Sequence, residues 1–240
     1  LGLIDEAVTA EEAAARSDLI LLATPVGGLK DVLSRMLPHL TDGVVLTDAG
    51  STKAEVVEAA RAALGHRVGQ FVPGHPIAGA ERTGPEAADA GLYRKRMVIL
   101  TPLPENSAAS TDLVRRAWQG CGADVIDMDA AAHDRVLASV SHLPHLLSAV
   151  YMEQVATAAD ARTRLDLAGT GFRDFTRIAA GSPEMWRDIF LSNREAMLAE
   201  LADVRGVLDR AERAIADGDG DALLTLLDTA ARARRDWRKE

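Results

Sequence analysis

The fold is decided by the apolar run Leu19-Ile20-Leu21-Leu22-Ala23, which stops at Thr24-Pro25. Five apolar residues without polar alternation are typical of a strand that is buried on both faces, as in a parallel sheet. Helical patterns flank this run at residues 11–17 and 28–40. The pattern therefore predicts a buried strand between two helices.

The same alternation continues to residue 126. Further strands are predicted at residues 44–47, 70–72, 97–100 and 124–126, and a further helix at 54–64. Repeated strand and helix predict an α/β fold with a doubly wound parallel sheet. From residue 129 onward only helical patterns occur, at 129–159, 163–180, 183–218 and 219–237. We therefore expect a Rossmann-like domain over residues 1–128 and an all-α domain over residues 129–240.

The start of the Rossmann-like domain lacks one expected feature. Dinucleotide-binding domains open with a strand, a Gly-x-Gly-x-x-Gly turn and a helix. No such glycine pattern precedes Leu19, and residues 1–5 resemble the end of a segment already under way. We expect that the amino-terminal part of the domain is missing from this sequence, or that the domain binds no dinucleotide.

Composition limits the classes of protein to consider. The 240 residues are 48% hydrophobic and 26% charged, as in an ordinary globular protein of one or two domains. The formal net charge of -9 argues against wide non-specific nucleic-acid binding. No signal peptide and no apolar stretch of membrane-spanning length is evident. We expect a cytoplasmic protein with no nucleic-acid or membrane partner.

The helical pattern at residues 183–218 carries more apolar surface than an isolated helix needs. Such surface is covered either by a second copy of the chain or by packing within one chain. Periodicity alone favours neither interpretation, so both a homodimer and a monomer remain open at this point.

One histidine follows a predicted strand on irregular backbone. The segment Gly74-His75-Pro76-Ile77-Ala78-Gly79-Ala80-Glu81 contains an imidazole and a carboxylate, and it comes directly after the apolar residues 71–72. In open α/β sheets, ligands bind beyond the carboxyl ends of the strands. His75 is therefore a candidate catalytic residue, and a purely structural histidine in a turn is the alternative.

Two further histidines, His142 and His145, are three residues apart and can share one helical face. Pro144 lies between them, removes one backbone donor and favours a kink in the helix. A two-histidine metal site is the competing interpretation, but no third ligand is evident at a suitable spacing. We therefore predict no metal site.

Six segments, taken in order along the chain, carry a resemblance. They are Thr24-Pro25-Val26, Asp48-Ala49-Gly50-Ser51-Thr52-Lys53, residues 74–81, Ser141-His142-Leu143-Pro144-His145, Gly171-Phe172-Arg173-Asp174-Phe175-Thr176-Arg177-Ile178 and Met185-Trp186-Arg187-Asp188. Together they resemble the prephenate dehydrogenase family, which includes the arogenate and cyclohexadienyl dehydrogenases. The resemblance covers essentially the whole chain.

The resemblance implies an oxidoreductase that uses NAD or NADP, with NAD favoured. Its implied reaction is the oxidative decarboxylation of prephenate to 4-hydroxyphenylpyruvate in tyrosine biosynthesis, and it implies a homodimer joined through the helical domain. Three alternatives stay open: an arogenate dehydrogenase that produces tyrosine, a related dehydrogenase of small hydroxy acids, and a truncated dimer without catalytic activity.

The resemblance also implies roles for single residues. His75 would take the proton of the substrate hydroxyl, and Arg177 would hold a substrate carboxylate, a task for which arginine is well suited. Ser51 would lie near the reacting hydroxyl and the nicotinamide; its alternative is an N-cap of a helix that begins at Thr52. His142 and His145 would line the substrate site.

The remaining implied roles concern the edges of the site. Glu81, Asp174 and Trp186 would form a gate at its mouth, and Asp174 could pair with Arg177 three residues later. An exposed surface pair is the alternative for those two. Thr24, Pro25 and Val26 would flank the nicotinamide ribose or form a simple turn. His133 is expected to face solvent. Lys53 is either a general base, as in a different class of dehydrogenase, or a solvent-facing side chain near a helix start.

Overall fold

The computed structural model describes residues 4–79 and 84–237. Within these residues the chain forms six strands: β1 Leu19–Leu22, β2 Val45–Asp48, β3 Phe71–Val72, β4 Gly74–Pro76, β5 Met97–Leu100 and β6 Asp124–Asp127. The α-helices of the same residues are α1 Ala10–Arg16, α2 Leu29–Met36, α3 Ala54–Leu64, α4 Ala108–Gly120, α5 Ala130–Leu137, α6 Leu143–Ala156, α7 Ala161–Asp166, α8 Thr170–Thr176, α9 Pro183–Ser192, α10 Arg194–Ala216 and α11 Gly220–Asp236. A Rossmann-like α/β part is thus followed by helices, which confirms the predicted fold class.

The strands form two three-stranded sets. Strands β1, β2 and β3 are parallel and lie in that order. In the second set β4 is antiparallel to β5, and β5 is parallel to β6. Pro73 alone separates β3 from β4, and the Asp48 side chain at the end of β2 accepts a hydrogen bond from the Gly74 amide at 3.0 Å. The two sets therefore meet where β2 ends.

The sequence pattern predicts a loop around His75, but His75 lies in strand β4, opposite Ile99 of β5. The Ile77 amide continues the pairing with a 2.7 Å hydrogen bond to the Met97 carbonyl. Glycine and proline are both depleted in strands, so Gly74 and Pro76 conceal this short strand from a sequence pattern. Strand pairing fixes the backbone of His75 more firmly than a loop would.

Helices cover both faces of the parallel strands. Adjacent strand residues point to opposite faces. Accordingly Leu46 packs in a buried cluster with residues of α1, α2 and α3, whereas Val45 packs in a second cluster with Trp118 of α4. The first set of strands is thereby held rigidly, with its carboxyl ends facing the helical part of the chain.

Three predicted helices are interrupted in the helical part. The predicted helix at 129–159 contains a π-helical turn, Ala138–His142, just before Pro144. The predicted helix at 163–180 is divided into α7, α8 and a 3₁₀ turn, Arg177–Ala180. The predicted helix at 183–218 is broken at Asn193 into α9 and α10. The first and the last of these breaks lie at residues that contribute polar atoms to the candidate site described below.

Among the residues that the structure describes, no helix combines the length and the apolar character that crossing a bilayer requires.

Candidate active site

A cavity of about 660 Å³, here called the main cavity, lies beside the end of β4. It is of the size that suits a small molecule. His75, His145, Arg177 and Trp186 line it, together with apolar residues of β4, the π-helical turn and α9. Four side chains that the sequence analysis singles out therefore share one cavity, although they lie as far apart in the chain as β4 and α9.

His75 is 8% exposed, and its ring is held by a second imidazole. His75 Nδ1 lies 2.8 Å from Nε2 of His133, which is fully buried. Burial, followed by the neighbouring His133, Lys53 and His142, lowers the pKa of His75 well below its ordinary value of 6.5. His75 is therefore neutral at pH 7 and able to accept a proton.

The prediction that His133 faces solvent is wrong. His133 Nδ1 lies 2.8 Å from Oδ1 of Asp134, and that carboxylate accepts hydrogen bonds of 2.8 Å from the backbone amides of Lys53 and Ala54. Asp134 thus caps the amino terminus of α3 from outside the helix. Helix α3 begins at Ala54, so Ser51 is not its cap, and that alternative for Ser51 is also wrong.

Lys53 is fully buried, which rules out the solvent-facing alternative for this residue. Its Nζ lies 2.5 Å from Oδ2 of Asp48. Burial lowers the pKa of Lys53, and the Asp48 carboxylate opposes this shift. The Asp48 carboxylate also accepts hydrogen bonds from the Gly50 and Gly74 amides, at 2.8 and 3.0 Å. One ion pair therefore fixes the backbone next to Ser51 and next to His75.

We expect Lys53→Met to lower the free energy of unfolding by about 3 kcal/mol, because it leaves the buried Asp48 carboxylate without its cationic partner. The two amide donors that remain on Asp48 place the loss at the lower end of the usual range for broken buried pairs. Urea unfolding measures it. Lys30→Met is the matched control, since Lys30 is exposed and should change stability little. An equal, small effect of both variants would contradict a buried ion pair.

The π-helical turn shapes the second wall of the main cavity. Pro144 has no backbone N–H to donate, which frees a carbonyl in the preceding turn. His145 lines the cavity, and its Nδ1 lies 2.8 Å from the Ser141 carbonyl. Because a carbonyl only accepts, His145 carries its proton on Nδ1, and its Nε2 is an acceptor when the ring is neutral. Burial lowers the pKa of His145, with the Ser141 carbonyl opposing that shift.

His142 shares the face of His145 but not the main cavity. It is 1% exposed, and its Nδ1 lies 3.1 Å from Nδ2 of Asn193, which also donates to the Asp134 carbonyl at 2.8 Å. An amide nitrogen only donates, so the proton of neutral His142 is on Nε2. Nε2 has no hydrogen-bond partner of good geometry among the described residues, although the nearby Ser51 backbone raises the pKa slightly. Burial dominates and lowers the pKa of His142 to about 4.

The lowered pKa of His142 makes stability depend on pH. Its ordinary value is 6.5 and its folded value is about 4, so between these values the unfolded chain binds a proton that the folded chain does not. The contribution of His142 to the free energy of unfolding is therefore most favourable above pH 6.5 and becomes less favourable as the pH drops toward 4. We expect a loss from this residue of about 2 kcal/mol between pH 7 and pH 5, measured by urea unfolding.

His142→Gln should remove this share of the pH dependence, because glutamine does not titrate. The exposed His66 supplies the control, and His66→Gln should keep the full difference between pH 7 and pH 5. A pH dependence that is the same in both variants would show that His142 is not the residue responsible.

Arg177 and Trp186 complete the outer wall. Trp186 stacks on His145 with ring centroids 3.7 Å apart. Arg177 begins the turn after α8 and lines the main cavity.

Asp174 is exposed, and no described cation lies within ion-pair distance of it, so it does not orient Arg177 by a salt bridge. Glu81 lies outside the residues that the structure describes.

The ends of β1 and β2 carry small and polar residues that lie close together, outside the lining of the main cavity. Thr24 follows β1, and its buried Oγ1 has no hydrogen-bond partner among the described residues. A side chain at Gly50 would come within 2.9 Å of Val26, so the two strand ends approach closely there. Ser51 is half-buried beside Gly50 and lies outside the main cavity lining. Because unpartnered buried hydroxyls are rare, Thr24 is suited to a ligand's polar group.

In the described part of the chain no three His, Cys, Asp or Glu side chains are arranged to hold a metal ion.

Three residues of the site, His133, Asp134 and Asn193, are not predicted by the sequence patterns. The pair His133-Asp134 lies at a helical position with ordinary polar surroundings in sequence, and its partners are 58 to 81 residues away. The sequence contains one indication that Asn193 has a special role, because it interrupts a long apolar helical pattern, where asparagine is unfavourable. Only packing shows that its amide joins His142 to Asp134.

Two family models match the chain along most of its length. "Prephenate dehydrogenase, nucleotide-binding domain" matches residues 1–127, and "Prephenate dehydrogenase, dimerization domain" matches residues 129–229. Together they cover both the strand-containing and the helical part of the chain.

Individual relatives agree with these matches. Cyclohexadienyl dehydrogenase of Zymomonas mobilis is 36% identical over 226 residues, which cover 93% of this chain and 76% of that protein. Prephenate dehydrogenase of Lactococcus lactis is 35% identical over 224 residues, 92% of this chain and 61% of that protein. The chain therefore spans only part of the length of these relatives.

A solved structure is also similar. Prephenate dehydrogenase from Aquifex aeolicus, in complex with hydroxyphenyl propionate and NAD+, superimposes with a TM-score of 0.88 at 32% sequence identity. The similarity covers 98% of this chain and 82% of the Aquifex chain.

Proposed function

Because this chain belongs to the prephenate dehydrogenase family, we propose that it carries the catalytic residues for NAD-dependent oxidative decarboxylation of prephenate to 4-hydroxyphenylpyruvate. One observation supports this most strongly. A neutral imidazole, His75, and a guanidinium, Arg177, line the same cavity. Oxidation of a substrate that carries both a hydroxyl and carboxylates requires a base and a fixed cation together.

His75 is the proposed catalytic base. A neutral imidazole within reach of the ring hydroxyl takes its proton while the ring carbon loses a hydride. When the ring carboxylate then leaves as carbon dioxide, the ring becomes aromatic and its oxygen becomes a phenolate. His75 returns the proton to that oxygen, so the imidazole ends each turnover neutral.

Arg177 and His145 are the proposed substrate-binding groups. A guanidinium holds a carboxylate in bidentate geometry, which fixes both the position and the orientation of the substrate. His145 presents Nε2 as an acceptor, and Trp186, stacked against it, offers an aromatic surface to the ring. His142, Glu81 and Asp174 remain proposed members of the site, of which Asp174 has the least structural support.

The ends of β1 and β2 are the proposed cofactor contacts. Thr24, Pro25 and Val26 follow β1 and Ser51 follows β2, at the sheet edge where nucleotides bind in such folds. The hydroxyl of Thr24, which has no hydrogen-bond partner in the described part of the chain, fits a polar group of the ribose or nicotinamide. When bound, the nicotinamide supplies the hydride acceptor. NAD is proposed over NADP because the similar Aquifex structure is described with NAD+.

The test is the formation of reduced nicotinamide, followed by its absorbance, with prephenate or arogenate and with NAD or NADP. We expect the fastest turnover with prephenate and NAD. Faster turnover with arogenate would show that arogenate, not prephenate, is the preferred substrate. Faster turnover with NADP would show that NADP is the preferred cofactor. No turnover with any combination, by folded protein whose melting temperature is raised by NAD or NADP, would reject the activity.

Substrate binding can be tested separately by tryptophan fluorescence, with hydroxyphenyl propionate as the probe. We expect the probe to change the fluorescence because Trp186 lines the main cavity. The control is Trp186→Phe, which should reduce the change, whereas Trp118→Phe should not, since Trp118 of α4 is buried against the strands. Trp237 also lines the main cavity, so only a signal that survives the combined change of Trp186→Phe and Trp237→Phe would place the probe outside this cavity.

A homodimer through the helical part, residues 129–240, is also proposed, with residues 1–128 as the nucleotide-binding part. Large apolar side chains of α9, α10 and α11 are more than half exposed in the single chain: Leu191, Leu198, Leu208, Ile215, Leu224 and Leu227. A second copy would cover such a surface. Sedimentation at several concentrations checks this, and a strictly monomeric mass would contradict it.

A cytoplasmic location remains a prediction.

A further inference from the structure

His75, His133 and Asp134 form a row of hydrogen bonds, here called the buried triad. His75 Nδ1 to His133 Nε2 and His133 Nδ1 to Asp134 Oδ1 are both 2.8 Å. His133 is fully buried and Asp134 is 4% exposed, so water does not compete for these bonds. Each bond therefore has to be satisfied by a defined donor and a defined acceptor.

The direction of the bonds follows from the carboxylate. An ionised carboxylate can only accept, so the proton between His133 and Asp134 belongs to His133 Nδ1. A neutral His133 then has its lone pair on Nε2 and can only accept there. The proton between the two imidazoles therefore belongs to His75 Nδ1. His75 is left with an unprotonated Nε2, the ring nitrogen that is not bonded to His133.

The charge of Asp134 does not require a protonated His133 to balance it. Its carboxylate accepts two backbone amides at the start of α3, an eleven-residue helix, where the helix dipole also favours a negative group. The neighbouring buried cation, Lys53, is already paired with Asp48. A further positive charge on the fully buried His133 would have to be desolvated. The packing therefore favours a neutral His133.

We propose that His133 and Asp134 are positioning residues that hold the proton of His75 on Nδ1 and thereby keep Nε2 as the base of the active site. The tautomer of a histidine is set by the partner of its other nitrogen. Throughout the proton's transfer to Nε2 and its return, Nδ1–H stays bound to His133. The purpose of this arrangement rests on the proposed function, but the tautomer itself is a property of the folded chain.

Several charged or titratable groups surround His75 and determine its behaviour with pH. His133 and Asp134 belong to α5, Lys53 precedes α3, His142 ends the π-helical turn, and Asp48 of β2 holds the Gly74 amide. The three groups that act directly on His75 are His133, Lys53 and His142, and all of them disfavour a protonated His75. The neutral form on which the tautomer argument depends is thus the stable form at pH 7.

The first experiment is nuclear magnetic resonance of protein with ¹⁵N-labelled histidine, which distinguishes protonated from unprotonated ring nitrogens. At pH 7 we expect His75 to carry its proton on Nδ1 and to have a bare Nε2. The opposite result, a proton on His75 Nε2 with a doubly protonated His133 as donor, would overturn the proposal. This measurement needs no substrate. The His75 signals are assigned as those that disappear from the spectrum of folded His75→Asn.

The second experiment compares His133→Phe with His133→Gln. Phenylalanine keeps a ring but offers no acceptor, so His75 should lose its preferred tautomer and kcat should fall about 100-fold, with KM nearly unchanged. Glutamine can place its amide oxygen where Nε2 was, and should restore kcat to within about tenfold of the original protein. His66→Phe, at an exposed position, is the control.

Unchanged kcat in His133→Phe, or an equal loss in both variants with the His75 tautomer retained, would overturn the positioning role. These outcomes differ from failure of the proposed function. If the original protein oxidises neither prephenate nor arogenate, the activity is rejected, and the tautomer measured by resonance still decides the proposal about His133 and Asp134.

Discussion

His75→Asn should reduce kcat by about 1,000-fold or more, because general-base catalysis by a positioned imidazole supplies an effect of this order. The asparagine amide can still donate to His133 Nε2 in place of His75 Nδ1, so the hydrogen bond between residue 75 and His133 is kept. Only the acceptor at Nε2 is lost. KM should change little, since Arg177 and His145 are untouched. Turnover of prephenate with NAD, followed as reduced nicotinamide, provides the measurement.

The control for this variant is His66→Asn, at an exposed histidine, which should retain full activity. The pH profile offers a second check. A base must be unprotonated to act, and the pKa of His75 lies well below 6.5, so kcat/KM should stay level from pH 8 to pH 6. Substantial turnover by His75→Asn, or a profile that already falls at pH 7, would reject His75 as the base.

Arg177→Gln should raise KM roughly 100- to 1,000-fold, which corresponds to about 3 to 4 kcal/mol of lost binding to a substrate carboxylate. Glutamine keeps part of the length of the side chain and its capacity to donate, but it lacks the charge and the bidentate fork. kcat at saturating prephenate should fall much less, because the base remains in place. Initial rates over a wide range of prephenate concentration separate the two constants.

The matched control is Arg173→Gln, one turn earlier in α8, where the arginine is exposed and does not line the main cavity. It should leave both constants within about twofold, since surface charges contribute little. An unchanged KM in Arg177→Gln would exclude carboxylate binding by Arg177. A rise of equal size in both variants would indicate long-range electrostatic attraction of the substrate instead.

The sequence determined the elements of the fold because their causes are local. A continuous apolar run makes residues 19–22 a buried strand, and helix α3 has the predicted bounds Ala54–Leu64. Ser182, Pro183 and Glu184 begin α9 where capping rules place its start. The ordered motifs likewise pointed to the family, and they named His75, His145, Arg177 and Trp186, which share the main cavity.

Tertiary structure alone decided how those side chains are held. His75 bonds to His133 across 58 residues, Lys53 to Asp134 across 81, and Ser192 to Thr52 across 140. No periodicity or cap encodes such pairs, because they arise only when α5 and α9 pack against the carboxyl ends of β1 and β2. Burial also determines what the sequence does not show. It places His133, an expected surface residue, between His75 and Asp134, and it pairs Lys53 with Asp48. It also sets the pKa values and the tautomers on which the proposed chemistry depends.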